Sequence, residues 1–276
     1  MKKMLPESEL ARDERFVRSK IEDRIFDPRG AKIAARNTGP AKMATDRPAA
    51  AERSRSLMHG IFVGEVQALE GAGRTCFDFD DTEAPFQLKL DMARQCWDES
   101  RHCEISIKLG DHMGTEIGEY TESTFLYSAA CNPDPVLRLC GVNRALEGLA
   151  IDVFSTMKEF GNESGDPVLE FCEDWMLADE VTHVKMGSDW LRRLTVNDKE
   201  RQQQALAFQR TVDKLFSFGG LRGDREENPI HLARQFRNMA GFSEAEISDI
   251  VDAAAEAFQE AQAQRAASAA AASGSA

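Results

Sequence analysis

The chain has 276 residues, room for one large domain with extensions, and carries 34 Lys and Arg against 47 Asp and Glu, a formal charge of −13. That balance excludes broad binding to nucleic acid or to an acidic membrane, since either would be repelled over most of the surface. A local basic patch stays open, because Arg192, Arg193, Arg222, Arg225, Arg234 and Arg237 all fall in the C-terminal third. Residues 1–53 are charged and hold no apolar stretch long enough for a secretory signal. Nothing approaches the roughly 20 apolar residues of a membrane span. The expectation is a soluble, cytoplasmic protein. Six cysteines lack CxxC spacing, so they read as reduced thiols, several of them small core residues.

Residues 1–52 form a polar arm, with a helix over 8–23 and an irregular stretch over 28–48. The pattern is then helical almost throughout. Helices are predicted over 54–77 and 85–109, then a crossover of about 25 residues, then helices over 136–160 and 167–194. Two or three more helices follow between 198 and 261. The domain plan is therefore an arm (1–52), a four-helix bundle (53–195), a C-terminal helical extension (196–264) and a disordered Ala/Ser tail (265–276).

Two of the five histidines have Glu three positions earlier, in Glu99-Ser100-Arg101-His102 and Glu180-Val181-Thr182-His183. With 26 glutamates in the chain, chance gives a histidine such a neighbour about one time in ten. Both motifs are preceded by Asp, as Asp98 and Asp179. Each also has a lone glutamate upstream, Glu65 lying 34 residues before Glu99 and Glu147 lying 33 before Glu180. The site itself is repeated, at an offset of 81 to 82 residues.

If each pair of ligands faces across a helical hairpin, the turn must lie midway between them. The midpoints fall in Asp80-Asp81-Thr82-Glu83-Ala84-Pro85 and in Gly161-Asn162-Glu163-Ser164-Gly165-Asp166-Pro167, both turn and capping clusters. Each arm of about 17 residues spans about 25 Å, so the carboxylates stand at matching heights. Glu65 shares its stripe with Ile61, Phe62, Ala68 and Leu69; Glu147 with Cys140, Ala150, Ile151 and Phe154; Glu180 with Met176, Leu177 and Val184. A carboxylate on an apolar stripe is costly unless its charge is compensated. Glu65, Glu99, His102, Glu147, Glu180 and His183 are together the ligand set of a two-metal carboxylate bundle, in which the lone glutamates either bridge or complete the set.

These residues also resemble a known family. Asp98-Glu99-Ser100-Arg101-His102 is similar to the DExRH signature of ferritin-like di-iron oxygenases, and Asp179 to His183 to its second copy. Gly64-Glu65-Val66-Gln67-Ala68 and 179–190 resemble a largely uncharacterised ferritin-like family related to tRNA-hydroxylating di-iron monooxygenases. The resemblance covers about 53–194. It implies two iron ions (manganese or a mixed pair being compatible), O2 as co-substrate, and catalysis at the six ligands. It further implies that Asp98 supports His183, that Asp179 supports His102, and that Arg101 pairs with one of these aspartates. Thr182 stands where the second copy would need an arginine. Tyr120 and Tyr127 both lie in the crossover, which weakens a radical-enzyme reading. Met176 occupies the place where arylamine N-oxygenases carry an extra histidine.

Gly64 and Gly148 beside the lone glutamates either leave space for oxygen or substrate or allow close helix packing. Arg144, one turn before Glu147, either anchors an anionic substrate group or neutralises the site. His112 reads as a turn residue. Three functions stand at this stage. The first is an O2-activating oxygenase or hydroxylase acting on a small-molecule or nucleoside-like substrate, with a reductase as electron donor. The second is a ferroxidase, iron-storage or peroxide-scavenging protein. The third is a metal-stabilised scaffold without catalysis. The crossover and C-terminal helices, which are able to cover a pocket, favour the first. Homo-oligomerisation is compatible with all three, and tRNA is the one nucleic acid left open.

Overall fold

The computed structural model describes residues 52–80, 82–120, 122, 124–217, 222–223 and 230–273. The expected arm (Glu52 apart), Asp81 of the first turn and Arg225 lie outside them. The described part is all-helical apart from one short strand pair. Helices α1 (Glu52–Phe77) and α2 (Phe86–Met113) form the first hairpin. A short helix, α3 (Phe125–Ala130), sits in the crossover. Next come α4 (Pro135–Leu139), a π-helical segment (Cys140–Leu146) and α5 (Glu147–Ser164), followed by α6 (Pro167–Leu194). The extension holds α7 (Lys199–Phe216), a parallel pairing of β1 (Arg222–Gly223) with β2 (Ile230–His231), α8 (Arg234–Met239) and α9 (Glu244–Ser273). No helix among the described residues is long and apolar enough to cross a membrane.

The hairpin turns fall where the ligand midpoints put them, and local chemistry sets them. Asp80 accepts from the backbone N–H groups of Thr82 and Glu83. Gly165 closes α5 at φ 71°, a left-handed conformation that glycine adopts without strain. Asp166 then caps α6 by accepting from Val168 N and Leu169 N, with Pro167 in the first turn. His112, at the end of α2, reaches the same Asp166 at 2.8 Å, so it ties α2 to the start of α6 rather than decorating a turn.

Two expectations change. The 136–160 helix is broken by the π segment, whose wider turns leave every residue from 140 to 148 buried. The Ala-rich end is helical to Ser273, where a tail from 265 was expected; alanine's helix propensity outweighs the low complexity. The main core runs between the hairpins and under the extension, with Met58, Ile61, Leu109, Phe154, Leu169 and Ile247 among its buried residues. All six cysteines are free; Cys140 is buried and the others half-buried.

Candidate metal centre

The six predicted ligands converge. One ligand atom each from Glu65, Glu99, His102 and Glu180 lie within 4.8 Å of one another, and so do atoms from Glu99, Glu147, Glu180 and His183. Glu99 and Glu180 belong to both groups. The motif glutamates are therefore the shared pair, and the lone Glu65 and Glu147 complete one group each. Glu99, His102 and Glu180 have no solvent exposure.

Supporting bonds orient each imidazole. Asp179 Oδ2 lies 3.3 Å from His102 Nε2, and Asp98 Oδ2 lies 3.4 Å from His183 Nε2. Holding the proton on Nε2 leaves the Nδ1 lone pair for a cation. His102 Nδ1 accordingly faces Glu65, Glu99 and Glu180 at 2.9, 3.2 and 3.3 Å, and His183 Nδ1 faces Glu99 and Glu180 at 3.2 and 3.4 Å. Arg101 bonds both aspartates, to Asp179 at 3.2 Å and to Asp98, where one partner was expected. Its guanidinium lies over the Trp175 ring at 4.6 Å. Asp98→Asn is expected to lower metal affinity about 10- to 100-fold, the usual effect of losing a carboxylate that supports a histidine ligand. Chelator competition measures it.

The fit to cations is visible in the atoms that protein alone leaves without hydrogen bonds. Glu99 Oε2, both Glu180 oxygens and His183 Nδ1 are buried and have no such partner among the described residues. Buried polar atoms are rarely left so, and four at one point mark a charge these residues are built to receive. These buried groups could hold a metal ion.

Electrostatics agrees. Burial pushes Glu65 up to about 8, with Glu99 and Glu180 adding to it, and pushes Glu147 well above its ordinary value, with Glu180 and Glu99 again adding. Burial also opposes ionisation of Glu99, but His183 and His102 outweigh it and hold its carboxyl below the ordinary range. Both imidazoles are pushed upward by the carboxylates around them, against the opposing effect of burial. Burial pushes Asp98 up as well, but its bonds to His183 and Arg101 bring it down to about 2. Without metal, Glu65 thus keeps its proton until about pH 8. Two consequences follow with opposite signs. Folding without metal binds extra protons, so metal-free stability falls as pH rises from the ordinary carboxylate range toward 8. Metal capture expels those protons, so apparent affinity rises over the same window. Thermal unfolding of metal-free protein and chelator competition across pH should therefore move in opposite directions.

Arg144, Gly64 and Gly148 fare differently. Arg144 is buried but bonds Gln209, Ser188 and Glu246, so it neither neutralises the ligands nor lines a pocket there. Residues three apart share a face in an α-helix; the π segment has more residues per turn and takes Arg144 off the face of Glu147. At Gly148 an added Cβ would meet Arg237 Nη1 at 3.0 Å, so the missing side chain makes room for that guanidinium and not for substrate. At Gly64 a Cβ would meet nothing within 4 Å, which excludes close packing and keeps the open-space reading. Arg237, counted in the basic patch, is buried and paired with Asp152.

Sequence reasoning missed two buried polar residues. Gln95 donates at 3.0 Å to both Glu99 and Glu147 and accepts from Asn143 at 2.7 Å, holding a shared and a terminal carboxylate together. Glu173 lies seven residues before Glu180 on the same stripe, fully buried. The signal was present in both cases: a polar residue one or two turns from a ligand on an apolar face. A cavity of about 280 Å³ reaches the centre from outside, lined by Gln95, Asp98 and His183 together with Arg94, Trp190 and Arg193.

No curated protein matches this chain. A family model described as "Protein of unknown function (DUF455)" matches residues 3–248, most of the chain's length, and the chain belongs to that family.

Proposed function

We propose that this chain is a ferritin-like four-helix-bundle protein holding two iron ions, and that it activates O2 to oxygenate or hydroxylate an organic substrate. The observation that carries the reading is the pair of four-ligand groups sharing Glu99 and Glu180. Glu65, Glu99, His102 and Glu180 would hold one cation and Glu99, Glu147, Glu180 and His183 a second, a residue set suited to two-metal chemistry at oxygen. Iron bound there would supply the redox and Lewis-acid chemistry; electrons come from a reductase or from the substrate. The chain's own residues supply the rest. Asp98 and Asp179 fix the imidazoles, Gln95 fixes Glu99 and Glu147, and burial keeps bulk water from the carboxylates. The cavity beside Gln95 and His183 gives a small organic molecule its approach, with Trp190 and Arg193 in its wall.

Anaerobic Fe(II) loading followed by O2 exposure tests this. Two irons per chain that give an antiferromagnetically coupled diferric Mössbauer signal support it. Two tightly held zinc ions with no response of the iron-loaded protein to O2 would remove both the oxygenase and the ferroxidase readings.

A further inference from the structure

The cavity beside Gln95 and His183 runs along the groove between α2 and α6, and the contacts across the groove give its direction. His183 faces Asp98 at the inner end, and seven residues along each helix Trp190 donates its indole N–H to Asp91 at 2.7 Å. Seven residues of helix span about 10 Å. His183, Met186, Trp190 and Arg193 stand three, four and three residues apart, a single stripe of α6, and all line the cavity. Its volume of about 280 Å³ suits a small organic molecule. A second cavity, of about 320 Å³ beside Met58, His59 and Ser106, touches none of the six ligands.

The repeat explains why the groove is open on this side. Arg101 and Thr182 hold equivalent places in the two motifs, 81 residues apart. Arg101 spans Asp98 and Asp179 and covers the Trp175 ring. Thr182 is too short to reach across in the same way, and it lines the cavity instead.

Charge decides what fits. The carboxylates of the wall are already engaged: Asp98 by His183, Arg101 and Arg94, Asp189 by Lys185 and Arg192, and Asp91 by the Trp190 indole. Arg193 has no carboxylate within ion-pair distance among the described residues, and its guanidinium lies 4.9 Å over the Trp190 ring. Trp190 is 6% exposed and tied at its N–H, so it is a fixed shelf for that guanidinium. A guanidinium stacked by its face keeps its edge donors for a planar acceptor. Arg144, the other candidate anchor for an anion, is spent on Gln209, Ser188 and Glu246.

We infer that this cavity binds a small organic acid, with its carboxylate on Arg193 and its apolar body along Met186 and Trp190 toward Gln95 and His183. One unspent positive charge matches one carboxylate, and the carboxylates of Asp91 and Asp189 in the same wall oppose the second charge of a phosphate ester. A groove of about 10 Å takes a ring on a short chain. That the bound acid is the substrate rests on the metal reading above.

Binding tests the site without redox chemistry. 3-Phenylpropanoate is titrated into ¹⁵N-labelled protein, metal-free and zinc-loaded, and compared with its amide, with 3-phenylpropylamine and with 2-phenylethyl phosphate. The Trp190 indole signal, assigned through Trp190→Phe, reports occupancy. The acid is expected to shift that signal saturably, and the amide to bind about tenfold more weakly or worse. Arg193→Gln is expected to weaken the acid about 10- to 100-fold, the range lost with a charge-assisted hydrogen bond, and Arg193→Lys to recover part of it. Both variants should still bind two zinc ions. Equal binding of acid and amide, tighter binding of the amine or the phosphate, or unchanged affinity in Arg193→Gln overturns the acid site. If the acid binds through Arg193 while the unaltered protein holds fewer than two zinc ions, the site stands and its assignment to the substrate falls with the metal reading.

Discussion

On the two-metal reading proposed above, Glu180→Gln is expected to leave a folded chain that holds neither ion, whereas Glu65→Gln is expected to keep one. The difference comes from position within the cluster. Glu180 contributes to both ligand groups and Glu65 to a single one. The amide keeps the shape of the side chain but not its charge, and a neutral oxygen would not offset the charge of divalent ions. Glu99→Gln should behave as Glu180→Gln does, and Glu147→Gln as Glu65→Gln. Glu104→Gln, on the exposed face of α2, should retain both ions. Elemental analysis after gel filtration gives the metal count, and circular dichroism shows that each variant is folded. Equal losses in all four buried variants would contradict the sharing.

Asp152→Ala is expected to cost about 3–5 kcal/mol, the usual penalty for leaving a buried charge without its partner. Arg237 has no solvent exposure and grips Asp152 with two bonds, Nε to Oδ1 at 3.0 Å and Nη2 to Oδ2 at 2.7 Å. A third donation goes to the Gly148 carbonyl at 2.6 Å, one residue from the ligand Glu147. Asp152 also accepts from the Ala233 backbone, which pins the start of α8. This pair thus fastens the C-terminal extension to the back of a ligand helix. Urea unfolding measures the loss. Replacing both residues together, Asp152→Leu with Arg237→Met, should recover most of it, because two apolar groups leave no charge unpaired.

The fold was legible wherever local chemistry decides it. Asp80, Gly165, Asp166 and Pro167 act through their own backbone and neighbours, so the turns could be placed before any packing was known. The convergence of the six candidate ligands was legible for a different reason: the repeat doubled a weak motif, and each half supported the other. The sharing of Glu99 and Glu180 was not legible, since it depends on which helices lie side by side across the bundle. Gln95 and Glu173 were visible as polar residues on apolar stripes, yet nothing in the spelling separates them from solvated side chains. Arg144 and Arg237 misled because a long side chain can reach several places, and helix periodicity fails where the backbone widens into a π segment.

One feature of the centre sets its pace. No ligand glutamate lines either of the two cavities, and the shared pair is wholly sealed from solvent. A small molecule can come as far as His183 through the first cavity, but the last step, to the carboxylates, waits for the helices to open locally. Arrival should therefore slow in viscous solvent and discriminate by molecular size, with small gases passing where bulky oxidants and chelators are held back.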